Sequence, residues 1–391
     1  MRRVKIVSDL AKLSQERTQL FQDVYDGKIP KRVPMVNMLT HEYCIEYAGF
    51  DLMEAQWELA KVFEEVGDKA CQDFPSDILP LFGIRFPSVY RLLGAKNFVM
   101  GSGGFIQHPE VVGMDVEDYD AMIASPYDCI VERVLPKLYT ELAKDPAHRA
   151  AAMAKAYKAY NDEFATIGMT YGKLAQKYGY ANFSLFAGMC QAPFDLLTDQ
   201  LRSFKGILSD IRRIPEKVEA AVEALTPLMI KMATTSPCGK YLAKFIPLHM
   251  GPYMRTKDFE KLYWPTLKRT VEGIREKGSP SFLYVEGQMM RYLDYLYELP
   301  ENTIFWFEYG DPKVIKEKLG KKHIITGLYP LVSLKTDTKQ QCVDRAKELI
   351  DILAPGGKYF FLLDKTPLTL DNINPENLQA VADYVMNNTY Y

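Results

Sequence analysis

The chain is 391 residues long, 48% hydrophobic and 12% aromatic, with a formal charge of −2 drawn from 25% charged residues of both signs. A chain of this length buries roughly 75% of its unfolded surface, so a large core is available. The evenly mixed charge offers no basic stripe for a nucleic-acid backbone, and nowhere do about eighteen apolar residues run together to span a bilayer.

In chain order, residues 1 to about 27 read as a helix that stops at Asp26-Gly27; its charges Asp9, Lys12, Glu16 and Arg17 interrupt any signal-peptide core. A cytoplasmic protein is expected. RVPMVNML suggests a first strand over 33–39, residues 54–67 a helix, and DKACQDFP a second strand over 69–75. From 78 to about 126, Pro, Gly and aromatics alternate with short apolar pieces, which reads as an inserted lobe or lid. GSGGF at 101–105 lacks a flanking strand and helix and is a flexible turn rather than a nucleotide loop. Residues 127–180, rich in Ala and Lys, predict long helical structure.

Beyond them, strands at 182–187, 243–249, 281–286, 303–309, 323–328 and 358–363 alternate with helices at 256–277, 289–298, 312–319, 337–353 and after Pro375. The near-continuous Val, Ile, Leu and Phe of these runs is that of strands covered on both faces. Eight such units predict one α/β domain over 1–391, a closed (β/α)8 TIM-type barrel with a helical extension over 1–30 and the 78–126 insert.

Barrel chemistry sits where strands end. The run FIPLHMG carries His249 at its end, SFLYVEG carries Glu286, and TIFWFEYGD carries Glu308, so two carboxylates and an imidazole are expected at one pocket mouth. Tyr253, Tyr284 and Tyr309, among many aromatics near strand ends, could line a pocket for a planar ring or supply a phenolic hydrogen bond. His323 begins its strand and is expected to be structural, His41 lies just past the first strand, either at the pocket or in a cap, and His108 and His148 are expected in solvent. The six cysteines form no close pair, which argues against disulfides and a cysteine zinc site; buried free thiols are expected, with Cys190, within GMCQAPFD, the one to watch.

KRVPMVNM, GMCQAPFDLLTDQL, LHMGPYMRTKDFEKLYWPTLKRTVEGI, FLYVEG, FEYGDPKVIKEKLG and PENLQAVADYV, in this order and spacing, resemble the uroporphyrinogen decarboxylase superfamily over nearly the whole chain. That superfamily contains porphyrinogen decarboxylases, thiol methyltransferases and corrinoid-dependent demethylating methyltransferases. The decarboxylases carry an arginine-rich segment after the first strand, where this chain has NMLTHEYCIEYAG without arginine. The thiol methyltransferases hold zinc through an H-x-C pair and a later Cys, where this chain has Tyr284 with Glu286 and APGGK ending in Gly357 and Lys358.

The resemblance that remains is to the demethylating branch of anaerobes. It implies a methyltransferase that moves a methyl group from a methoxylated, O-methyl donor to the cobalt of a partner corrinoid protein. No D-x-H-x-x-G motif is present, so cobalamin would come on that partner, and a homodimer is the usual assembly. Catalytic roles are expected for Glu286, Glu308, His249 and Tyr284, and substrate contacts for Asn37, Cys190, Gln191, Tyr253, Tyr309 and Tyr329. The departing oxygen needs a Lewis acid or a proton donor. His249, Glu286 and Glu308 could bind a Zn2+ ion with one position open, or act as acids. The alternatives are a decarboxylase of a carboxylated substrate and a non-catalytic binding barrel.

Overall fold

The computed structural model describes residues 2–83 and 86–391, with side chains from residue 9 onward. Its backbone closes a single (β/α)8 ring. Strands β5 (Lys244–Leu248), β6 (Ser281–Val285), β7 (Ile304–Phe307) and β8 (Ile324–Gly327) form a parallel sheet in chain order. On one side, Ile325 and Tyr329 pair with Tyr359 and Leu363, and Phe361 pairs in turn with Met35. On the other, Met189 pairs with Phe245, and the Ala181 amide donates to the Asp77 carbonyl. Strands β1 (Leu39–Thr40) and β2 (Leu81–Phe82) pair in parallel and complete the circuit.

The second strand falls later than the sequence suggests. Residues 69–73 finish the helix Leu59–Asp73, because Phe63, Val66, Ala70, Cys71 and Phe74 repeat at three- and four-residue spacing and are all buried. The barrel wall is instead built from Asp77 to Phe82, at the start of the stretch read as an insert. Within the remainder of that stretch, β3 (Val99–Met100) and β4 (Ile106–Gln107) form an antiparallel ribbon with Gly101–Phe105 as its tip. The Ala-rich region becomes the helix Pro146–Tyr178, capped by the Asp145 side chain and ended at Gly179 in the left-handed conformation.

Inward residues of successive strands stack inside the ring: Val36, Phe245, Phe282, Ile304, Trp306, Ile324, Phe360 and Leu362 share one buried cluster. Helix Arg2–Tyr25 closes the N-terminal end of the barrel, inserting Phe21, Val24 and Tyr25 into that cluster. Phe21 stacks on Phe183 with centroids 4.9 Å apart. A larger cluster lies between the ring and its helices and includes Leu248, Val285, Phe307, Tyr329 and Phe361. Arg32 and the fully buried Asp77 fasten the first two barrel segments through paired hydrogen bonds of 2.7 and 2.5 Å. Among the described residues no helix is long and apolar enough to cross a membrane.

Candidate active site

The C-terminal ends of β5, β6, β7 and the last barrel segment deliver His249, Glu286, Glu308 and Lys365 to one rim. The imidazole of His249 is held at both nitrogens. Nδ1 lies 2.5 Å from Asp199 Oδ2, and Nε2 lies 3.1 Å from Glu286 Oε1. Burial pulls the His249 pKa down, but Asp199 and Glu286 more than reverse this and push it up to about 11. At neutral pH the ring is therefore an imidazolium, hydrogen-bonded to Asp199 and ion-paired with Glu286.

The loop that carries His249 is pinned from behind. Asp195, fully buried, accepts from the backbone amides of His249 and Met250 at 3.0 Å each and from the Tyr263 hydroxyl at 2.7 Å. Desolvation raises its pKa to about 7. Asp195 lies on the helical turn Pro193–Leu196, and Asp199 on the π-helical stretch Leu197–Arg202 that follows it. One short helix thus orients both the backbone and the ring of His249. Widened π turns of this kind recur at functional sites.

Glu308 forms a second pair. Its Oε1 accepts from Lys365 Nζ at 2.5 Å, and its Oε2 from the Gly287 amide at 2.9 Å, which ties the exits of β6 and β7 together. Gly287 has φ +64° and a Cβ there would strike Pro252 at 2.9 Å, so this tight exit admits no side chain. Lys365 also lies over the Tyr309 ring. Beside it, Asp364 is buried, and desolvation raises its pKa to about 6. Tyr284 lies tilted against Trp306 at 4.1 Å, and its hydroxyl is held well above its ordinary pKa by burial and by the negative charges of Glu286 and Glu308.

Of the residues singled out from the sequence, His249, Glu286, Glu308 and Tyr284 therefore share one neighbourhood. The substrate-binding candidates divide. Tyr253 and Tyr309 are exposed at the rim and Gln191 is half-buried. Asn37 is buried, with its amide nitrogen donating to the Pro75 carbonyl. Cys190 lies in the packed layer outside the ring, where burial pushes its thiol up to about 12. Tyr329 lies in the same layer and donates its hydroxyl to the Cys342 carbonyl. Those three side chains are placed behind the wall of the barrel rather than at its mouth.

The residues named as zinc ligands do not fit that ion as arranged. Asp199 on His249 Nδ1 leaves Nε2 as the nitrogen a metal could use, but Nε2 meets Glu286 Oε1 directly, and both oxygens of Glu308 are taken by Lys365 and the Gly287 amide. Among the described residues no group of three His, Cys, Asp or Glu side chains is disposed to hold a metal. The other histidines are elsewhere. His323 is buried and meets the Tyr297 carbonyl at 3.1 Å, His148 meets Glu141 at 2.6 Å, and His108 stacks on Phe98 at 4.6 Å.

Asp195, Asp199, Asp364 and Lys365 were not singled out from the sequence. A signal was there: Asp195 and Asp199 stand four apart within GMCQAPFDLLTDQL, and Asp364-Lys365 ends the last strand run.

No curated protein matches the chain in sequence. Among solved structures, a methyltransferase from Methanosarcina mazei aligns with a TM-score of 0.59 and 13% identity, over 95% of this chain and 97% of its own, and so has the same fold. The family described as uroporphyrinogen decarboxylase (URO-D) matches residues 133–387, which include every group of the polar rim just described. On that match, over more than half its length, the chain belongs to the uroporphyrinogen decarboxylase family.

Proposed function

We propose that the protein is a methyltransferase that takes the methyl group of a methoxylated donor and passes it to the cobalt of a corrinoid carried by a partner protein. The observation that carries this reading is the imidazolium of His249, clamped between Asp199 and Glu286 at the C-terminal mouth of the barrel. An ether oxygen is a poor leaving group until its developing negative charge is met by a proton. The electron pair that takes up the methyl carbon would be supplied by a reduced corrinoid docked at this mouth. As the carbon–oxygen bond breaks, its electron pair stays on oxygen, and the His249–Glu286 pair delivers the proton that leaves it as an alcohol or phenol. Asp199 holds the ring in place and stabilises its charge until transfer. Lys365 and the Tyr284 hydroxyl lie near enough to Glu286 and Glu308 to set the potential around the departing oxygen.

The rim suits a partner. Tyr253, Tyr309, Val332 and Leu368 are all exposed on loops at this end. A carboxylated substrate suits the mouth less well, because the cations nearest Glu286 and Glu308, His249 and Lys365, are already paired with carboxylates. The test is incubation with methoxylated donors and a reduced corrinoid, following the corrinoid absorbance. Glu286→Gln, with an unchanged circular dichroism spectrum, is expected to lose about 10²–10⁴-fold in rate. An unchanged rate removes Glu286 from the mechanism, and carbon dioxide release from a carboxylated substrate instead makes the protein a decarboxylase.

A further inference from the structure

A cavity of about 860 Å³ opens through the side of the barrel, away from the charged rim. It exists because the ring is loosest there. Strand β2 pairs only with β1 among the described residues, and the segments 77–82 and 181–190 share a single backbone hydrogen bond there, from Ala181 to Asp77. The helices Pro87–Leu93 and Pro146–Tyr178 form the outer wall.

Nine aromatic rings line this space and, among the described lining residues, no charged side chain does. Several rings are set edge-on or tilted to one another, as in Phe86 with Tyr160 at 4.9 Å, Phe82 with Phe186 at 5.9 Å and Phe186 with Phe245 at 4.6 Å, while Tyr160 stacks on Phe164 at 5.8 Å. Water in such a space finds few partners, whereas a flat apolar molecule finds ring faces and edges on several sides. The volume lies within the range of small-molecule sites, about 300–1,000 Å³.

The wall carries the hydroxyls of Tyr90, Tyr160, Tyr171, Ser184 and Ser236, and that of Tyr171 is held by a buried imidazole. The Tyr171 hydroxyl lies 2.7 Å from His41 Nε2, and His41 itself is buried. The imidazole is seated against Gly83, where a Cβ would come within 2.2 Å of Nδ1, so only glycine leaves it room. Burial holds the His41 pKa down at about 4, so the dyad is neutral under ordinary conditions. A phenol-type hydroxyl bonded once to imidazole keeps capacity for one more hydrogen bond.

We infer that this side cavity is a binding site for a small, neutral, planar aromatic molecule bearing one hydrogen-bonding group, oriented by the Tyr171–His41 pair. The inference concerns a second place on the molecule and does not depend on the methyl-transfer reading of the rim.

The test is calorimetric titration of the full chain with 2-naphthol, naphthalene and 2-naphthoate. Binding of 2-naphthol is expected, with 2-naphthoate at least about tenfold weaker because the described lining offers its charge no cationic partner. Tyr171→Phe is expected to weaken 2-naphthol by about three- to tenfold and leave naphthalene unchanged. Val89→Trp fills the cavity from the helix side, and Met189→Trp fills it from the half-open barrel edge. Each is expected to abolish 2-naphthol binding while keeping the thermal unfolding midpoint, and the second variant stands in should the first misfold. Absence of 2-naphthol binding at 1 mM overturns the proposal, as do equal binding of 2-naphthoate and binding unaffected by both tryptophans. A wild-type dimer that either tryptophan dissociates, with no naphthol bound, assigns the cavity to a second copy and also overturns it.

Discussion

His249 carries more of the proposed chemistry than any other side chain, and its charge is set entirely by neighbours. Asp199 and Glu286 push its pKa from the ordinary 6.5 to about 11 against the pull of burial. Because the bound proton is favoured in the folded state, its contribution to stability is complete below 6.5 and is lost as pH rises through about 11. A reaction that needs this proton keeps its rate into alkaline solution and falls along a limb near 11. Removing one carboxylate partner lowers such a pKa by about 1–3 units. Asp199→Asn is therefore expected to move the alkaline limb of kcat/KM down by that amount, and an unmoved limb assigns the titration to another group. Glu286 and His249 were legible in the sequence because each punctuates an apolar run. The charge state of His249 was not, since Asp199 lies 50 residues away in the chain.

At the scale of elements, the helix spanning Pro193–Arg202 and the loop after β5 act as one unit through Asp195. Asp195→Asn keeps one acceptor oxygen in place of two for three donors, and is expected to cost about 1–3 kcal/mol of stability by leaving a buried donor unmet. Urea unfolding measures that cost, and a loss of activity at saturating substrate larger than the loss of folded protein shows that the loop has also lost its register. The first two barrel segments depend likewise on Arg32 and Asp77. Arg32→Met removes both paired hydrogen bonds and leaves the buried Asp77 carboxylate to Arg17, 3.5 Å away, and the Met35 amide, and is expected to cost about 1–3 kcal/mol. A variant as stable as the wild type makes the pair dispensable. The helices after β5 to β8 were legible because their apolar faces repeat regularly; Pro312–Leu319 matches its expected range. The second strand was misplaced because Ala70, Cys71 and Phe74 are apolar enough for either structure, and their burial on a helix face decided between the two.

For the molecule as a whole, the barrel has two unlike ends and a slit in its side. The N-terminal end is stoppered by Phe21, Val24 and Tyr25 against the lowest interior layer, while the C-terminal end bears the ionised rim. Fold and chemistry are thereby separated, as is general for this architecture. Phe21→Ala removes a fully buried ring and is expected to cost about 3–5 kcal/mol in chemical denaturation. KM is expected to stay unchanged, because the Phe21 ring packs on Phe183 and Phe360 rather than on the charged groups of the rim, and a changed KM means that the two ends are coupled.

The alternation of apolar runs with helical stretches is a local property of the chain, so the barrel and the strand-end positions of His249, Glu286 and Glu308 could be read directly from sequence. Which side chains face one another is not local. Pairing Asp199 with His249 and Lys365 with Glu308, placing Cys190 and Tyr329 behind the wall, and opening an aromatic cavity beside β2 all depend on how the ring closes. Residue spacing sets the periodicity of burial, whereas charge, protonation and cavity shape arise from contacts between segments far apart in the chain.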